Sequence, residues 1–312
     1  MRRIDLRRRG VSAAAVFVTA VSLIAVASAS AGTVPADLRV VTDTGQTLAD
    51  VRQYTDTTQV PTSPQAKCFF GGVGGSGKPV TVAGPTALGL TADAAQTQAG
   101  LRPLLIDDEY LSSFGSLGVC GFGGVSSEAS NFWELRVDHK AVSVGGDQVA
   151  VGRGDDILWT LVPNNCDTTP PYACHPSLPE LSIDAPARAK PGKAFVVQVF
   201  QYSDKGFTKP AVGATVTGAS APSDAAGNAM VTLAGSGTLQ ATRAGAIPSR
   251  VLPICVNSNL GRCPKKAGRP IFGSALADDI TGTPGPDSVK SGAGNDAINA
   301  RGGGADRVQC GA

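Results

Sequence analysis

Apolar residues in this 312-residue chain recur at two spacings, and the spacing changes along it. Leu38-Arg39-Val40-Val41, Val80-Thr81-Val82, Phe132-Trp133-Glu134-Leu135-Arg136-Val137 and Ile157-Leu158-Trp159-Thr160-Leu161 are short runs rich in β-branched and aromatic residues. They predict strands, because such side chains suit a pleated, half-buried surface. Between the second and third runs, residues 87–95 place apolar side chains on one helical face despite Gly89, and predict a helix. Further on, 195–200, 211–216 and 230–233 read as strands, with turns at Pro191-Gly192 and Asp224-Ala225-Ala226-Gly227. Short strands at that interval predict a β-sandwich over 181–256. The expected fold is mainly β: an α+β module over 36–165, the sandwich, and a third module over 273–312 with a different period.

In that last module the period is nine. Residues 273–281, 282–290 and 291–299 follow without a gap, and Ala300 is inserted before 301–309. Asp278, Asp287, Asp296 and Asp306 hold the sixth position, and Ile280, Val289, Ile298 and Val308 the eighth. Gly285, Gly294 and Gly304 hold the fourth position of the last three units; Leu276 replaces glycine in the first. Glycine permits the positive φ of a tight loop, so that carbonyl oxygens and a carboxylate can converge on one point. A hard cation such as calcium takes six to eight oxygens at about 2.3–2.6 Å, and such loops supply that donor type. These residues resemble the RTX (haemolysin-type) calcium-binding nonapeptides of secreted bacterial proteins. The resemblance implies a short parallel β-roll with two nonapeptides per turn, Asp278 sharing Ca2+ with Asp296 and Asp287 with Asp306. Binding would be weak, about 10⁻⁴–10⁻³ M, the range of extracellular calcium modules. The alternative for the same residues is a glycine/aspartate tail that binds nothing.

The N-terminus changes the compartment. Arg2, Arg3, Arg7, Arg8 and Arg9 precede an apolar run over 11–27 and small residues through Ala31. A basic region, a short apolar stretch and an A-x-A exit predict a cleaved secretory signal peptide over 1–31, the alternative being a membrane anchor. Its removal leaves 22 basic against 24 acidic residues, a net charge of about −2, which argues against a nucleic-acid partner. Beyond the leader no segment is apolar enough over sufficient length to span a bilayer. Seven cysteines in an exported chain read as disulfides. The spacing pairs Cys166 with Cys174 and Cys255 with Cys263, leaving a longer Cys68–Cys120 bridge. Cys310 is left over: free, paired between chains, or competing with Cys255 for Cys263. The two cysteine- and proline-rich stretches, 166–180 and 257–272, are stiff linkers.

Two further resemblances follow from residues already named. Pro210 through Gly213-Ala214-Thr215-Val216 to Asp224-Ala225-Ala226-Gly227 resembles bacterial Ig-like and carboxypeptidase-regulatory-like domains, which implies a spacer or presenting module. Trp133 with Val137-Asp138, followed by Gly154-Asp155 and Trp159, resembles the secreted bacterial domain related to the C-terminal domain of transcobalamin. That implies a small β-grasp-like fold over the first module and does not imply corrin binding. Asp138-His139 replaces the usual Asn-Gly of its hairpin.

Little else carries chemistry. Gly72 to Lys78 imitates a phosphate-binding loop, but Pro79 stands where Ser or Thr is required and extended residues follow. His139 and His175 have no nearby nucleophile and no metal-ligand spacing. Asp107-Asp108-Glu109 and Asp155-Asp156 are acidic clusters that read as solvated turns rather than a catalytic carboxylate pair. Trp133 and Trp159 read as core, with an exposed ligand platform as the alternative. The expectation is a secreted or cell-surface, non-catalytic binding protein with an extracellular or cell-wall ligand and calcium-ordered repeats. A secreted hydrolase and a small-ligand carrier using the first module are the competing classes.

Overall fold

Because the apolar runs alternate faces, strands dominate; the computed structural model describes residues 32–67, 74–128, 130–164, 177–266, 268–300 and 305–311. The leader, Cys68, Gly72 and Val73 of the glycine loop, the expected Cys166–Cys174 bridge, His175 and Gly304 lie outside these residues. The described residues belong to one compact unit that runs to the C-terminus.

The first module begins with β1 (Val34–Val41), β2 (Thr47–Thr55), β3 (Thr58–Val60) and β4 (Val80–Val82), then α1 (Ala87–Thr97). It continues with β5 (Leu104–Asp107), β6 (Gly118–Phe122), β7 (Val125–Ser126), β8 (Asn131–Val137), β9 (Lys140–Ala141) and β10 (Asp156–Pro163). β1 is central, antiparallel to β2 and parallel to β10, which pairs antiparallel with β8. One face of this sheet sends Leu38, Val40, Leu135, Ile157, Trp159 and Leu161 into a core closed by α1. The helix starts where Thr86 Oγ1 accepts Gly89 N–H at 3.1 Å, and ends where Gln98 becomes extended. Gly89 suits this cap, since a Cβ there would stand 3.0 Å from the Thr86 hydroxyl. Phe122 packs edge-on against Trp133 and Trp159, at 4.8 and 5.5 Å between ring centres. Both tryptophans are therefore core residues. The hairpin turn falls on Asp138-His139, at φ 47° and 68°, the two-residue geometry that matches strand twist.

The second module contains β11 (Glu180–Asp184), β12 (Arg188–Ala189), β13 (Phe195–Tyr202), β14 (Thr208–Pro210), β15 (Thr215–Val216), β16 (Asn228–Val231), β17 (Gly237–Leu239), β18 (Ala241–Thr242) and β19 (Leu252–Val256). Val197, Val199, Val216, Val231, Leu239 and Ile254 form its separate core. The strand expected over 211–216 is shorter than its composition predicts. Gly213 takes φ 76° and its N–H goes to Ser223 O, so the chain turns there and Val212 is exposed. Cys255 and Cys263 are bonded, with Cα atoms 5.6 Å apart. Cys120 is also in a disulfide, and Cys310 is free and exposed.

β20 (Pro270–Phe272) ends the stretch read as a linker, and the nine-residue units after it supply β21 (Asp279–Thr281), β22 (Ser288–Lys290), β23 (Ala297–Asn299) and β24 (Arg307–Gln309). β20 pairs parallel with β2 of the first module, through Arg52↔Ile271 and Gln53↔Phe272. The resulting sheet has eight strands in the order β24-β22-β20-β2-β1-β10-β8-β9. The repeats thus continue the first module's sheet rather than hanging from it.

Charge fills the junction of the three modules. Arg39, 2% exposed, pairs with the equally buried Glu180 and donates to Pro248 O at 2.6 Å. His139 Nδ1 lies 3.0 Å from the other Glu180 oxygen, its ring stacked 3.7 Å from Tyr202. Arg250 reaches Asp50 and Asp156, each at 2.7 Å. Asp37 receives Arg52 at 3.0 Å and also pairs with Arg269. Burial raises the proton affinity of Glu180, yet Arg39 and His139 outweigh it and hold the carboxyl below its ordinary range. Asp37 is lowered for the same reason, by Arg269, Arg52 and Arg250 against burial.

Candidate metal centre

The nonapeptide period becomes a coil of two strands per turn. β21 pairs with β23 as Asp279↔Ala297 and Ile280↔Ile298, and β20 with β22 as Pro270↔Ser288. β22 pairs with β24 as Ser288↔Arg307 and Val289↔Val308, one residue further on because Ala300 is accommodated. The eighth-position side chains meet inside, where Ile271, Ile280 and Val289 pack with Tyr54 of β2. Burial falls outward: Ile280 is 0% exposed, Val289 1%, Ile298 is half-buried, and Val308 is 42% exposed. The packed end of the coil is therefore the end against β2.

This register brings the aspartates together in the expected pairs. Asp278 N–H donates to Asp296 Oδ1 at 3.1 Å, and Asp287 N–H to Asp306 Oδ1 at 2.9 Å. Each link joins one turn's carboxylate to the main chain of the turn before it. The inner two carboxylates are also held from their own loops. Asp278 Oδ2 accepts Ser274 N–H at 2.6 Å, and its Oδ1 the Ser274 hydroxyl at 3.1 Å. Asp287 Oδ2 accepts Thr283 N–H at 2.5 Å; its Oδ1 accepts the Thr283 hydroxyl at 2.6 Å and Arg269 N–H at 3.0 Å. Ser274 and Thr283 each stand four residues before their aspartate, and the repeat pattern alone gave them no role. That spacing was the available signal, because Gly292 and Gly302 occupy the same place in the outer units.

The glycines have a stacking role. Gly294 sits at φ 119°, and a Cβ there would lie 2.4 Å from Leu276 O of the loop above. Gly292, at φ 84°, would collide with Ser274 O at 2.1 Å. Gly285 donates its N–H to the Thr283 hydroxyl at 3.3 Å, within the inner clasp.

The inner and outer pairs differ in how they suit a cation. Asp278 and Asp287 are 2% and 3% exposed, and both oxygens of each face N–H or O–H donors. Those donors turn their positive ends to the oxygens, where calcium would have to sit, so the inner pair does not fit it. Burial pushes the Asp278 carboxyl above its ordinary range; Thr33 and Ser274 offset part of this, and the charge on Asp296 adds to it. Asp296 and Asp306 are half-buried, and among the described residues each takes one main-chain N–H. Asp296 also borders an open hollow of about 420 Å³ with Ser291, Asn295 and Cys310. Each of these two carboxylates is therefore less fully engaged by donors than its inner counterpart. Among the described residues no three His, Cys, Asp or Glu side chains group as a metal-binding set, so main-chain and amide oxygens would complete the shell.

The other acidic clusters are spent on structure. Asp108 accepts Ser76 N–H and hydroxyl at 2.6 and 2.7 Å, and Asp107, fully buried, accepts Glu109 N–H at 2.9 Å. Asp155 closes a turn on Gly152 N–H at 2.7 Å, and Asp156 pairs with Arg250. No family model, curated protein or solved structure matches the chain.

Proposed function

We propose that this chain is an exported, non-catalytic modular binding protein whose C-terminal β-roll takes calcium on its outer turn, through Asp296 and Asp306. The observation that carries this reading is the contrast between the buried, donor-clasped Asp278 and Asp287 and the half-buried Asp296 and Asp306, the first of which borders an open hollow. Export is supported by the basic-then-apolar leader, the Cys255–Cys263 bridge and the oxidised Cys120. The non-catalytic reading is supported by the commitment of Asp107, Asp108, Asp155 and Asp156 to turns and ion pairs. In its extracellular setting the first module would meet a cell-wall or other external ligand, with the sandwich as its spacer.

Calorimetric titration of the exported chain with calcium tests the reading. Binding near 10⁻⁴–10⁻³ M is expected, and an Asp296→Asn/Asp306→Asn variant should abolish it. No heat at several millimolar calcium would defeat the proposal.

A further inference from the structure

We infer that β2 of the first module is the built-in first rung of the C-terminal solenoid, so that the inner two repeats fold on it without a cation. A solenoid turn cannot bury its apolar side alone; it needs a neighbour to stack on or a cap. β2 supplies both the backbone and the cap. Its main chain pairs with β20 through Arg52 and Gln53, which extends the sheet and leaves no free edge between the modules. Gln53, fully buried, donates from Nε2 to Gly273 O at 3.0 Å, at the start of the first repeat. Tyr54, 1% exposed, plugs the roll's core against Ile271, Ile280 and Val289. Its hydroxyl accepts Thr281 N–H at 3.0 Å, on the opposite sheet of the coil. One strand thus anchors both sides of the first turn.

The electrostatic problem of stacking acids is also eased locally there. In the inner repeats, a hydroxyl and an N–H from position two close on the carboxylate of position six, at Ser274–Asp278 and Thr283–Asp287. Donors turned to a carboxylate stabilise its charge, as an oxygen-bound cation would. The outer repeats carry Gly292 and Gly302 at that position and have no hydroxyl to do this. Cation dependence should therefore begin at residue 291 and not at residue 273. The inner-turn claim is independent of the calcium reading; only the behaviour of the outer turn rests on it.

Hydrogen exchange on the whole exported chain, with 5 mM calcium or with chelator, separates the two. Peptides covering 270–290 should keep the same protection in both conditions, within about twofold. Those covering 291–311 should exchange at least about tenfold faster in chelator. Loss of protection over 270–290 on chelation overturns the inference. Equal exchange over 291–311, with 270–290 protected throughout, leaves it standing and removes the calcium proposal instead. In a Ser274→Ala/Thr283→Ala variant, exchange over 270–290 should rise about tenfold with or without calcium, while β1 peptides stay unchanged and report that the first module remains folded. Unchanged exchange over 270–290 in that variant overturns the clasp.

Discussion

Asp93 is a carboxylate placed where charge is costly, and replacing it with asparagine should make the protein more stable at neutral pH. It sits on the buried face of α1, 7% exposed. Its Oδ2 accepts the hydroxyls of Thr55 and Thr58 at 2.7 and 2.8 Å, and no cation pairs with it among the described residues. Burial is the main cause of a shift from 3.8 to about 6; the two threonines resist it, and the charges of Asp278 and Asp56 reinforce it. The folded carboxyl binds its proton more tightly than the unfolded one, so protonation favours folding. The advantage is fully present below about pH 4, declines as pH rises through 6, and is gone by about 7. Roughly two pH units, at about 1.4 kcal/mol each, set its size at about 3 kcal/mol. Asp93→Asn keeps an oxygen for both threonines and removes the titration. Denaturant midpoints followed by tryptophan emission from pH 3.5 to 8 should show the variant gaining about 3 kcal/mol over the parent between pH 4 and 7. Taking the difference between the two profiles cancels the carboxylates they share. A flat difference would refute the assignment of cost to the buried charge.

At the module junction, Glu180→Ala should cost about 3–5 kcal/mol by calorimetry, because it strands Arg39 at 2% exposure. A loss under about 1 kcal/mol would mean that water replaces the carboxylate. Since Glu180 has its folded proton affinity lowered, its contribution is present above the unfolded value near 4.5 and fades as pH falls below it. The variant should therefore be the less acid-sensitive protein in that window. Acrylamide should quench the chain's two tryptophans, Trp133 and Trp159, only weakly, because they are 6% and 3% exposed. Strong quenching would restore the ligand-platform reading of the first module.

The parts of this fold that could be read in the sequence are those whose cause is local. Runs of β-branched and aromatic residues in 132–137 and 157–161 located β8 and β10, and one apolar face located α1. The Asp138-His139 turn was legible only through the resemblance that sets a hairpin after Trp133 and Val137, since the short β9 that follows it has no strand signature of its own. The nine-residue period fixed which aspartates stack, because period and register are the same quantity in a coil. Position 213 misled because Ala, Val and Thr around it have strand composition, while a single glycine at positive φ ended the strand. The docking of the roll had no local signature. Gln53 and Gly273 are 220 residues apart, and a glutamine or tyrosine in a strand looks the same whether it faces water or a neighbouring coil. The junction ion pairs were hidden in the same way, as isolated charges within otherwise apolar strands.

Arg269 shows how these distant choices combine. Its guanidinium pairs with Asp37 on β1, while its own N–H goes to Asp287 Oδ1 at 3.0 Å in the second repeat. One residue thus ties the charge network of the junction to the clasp of the roll, immediately before β20 joins β2. A half-buried ion pair adds little net stability, because desolvation offsets much of its attraction, but a misaligned one leaves charges partly desolvated and unpaired. Asp37 with Arg52 and Arg269, and Arg250 with Asp50 and Asp156, therefore act less as adhesive than as a penalty on every other docking position. A strand slipped by one residue would turn Ile271 and Phe272 to the wrong faces and separate Arg269 from Asp37. Apolar pattern and charge pairing enforce the same register, and that agreement lets a coil of three-residue strands hold its first turn.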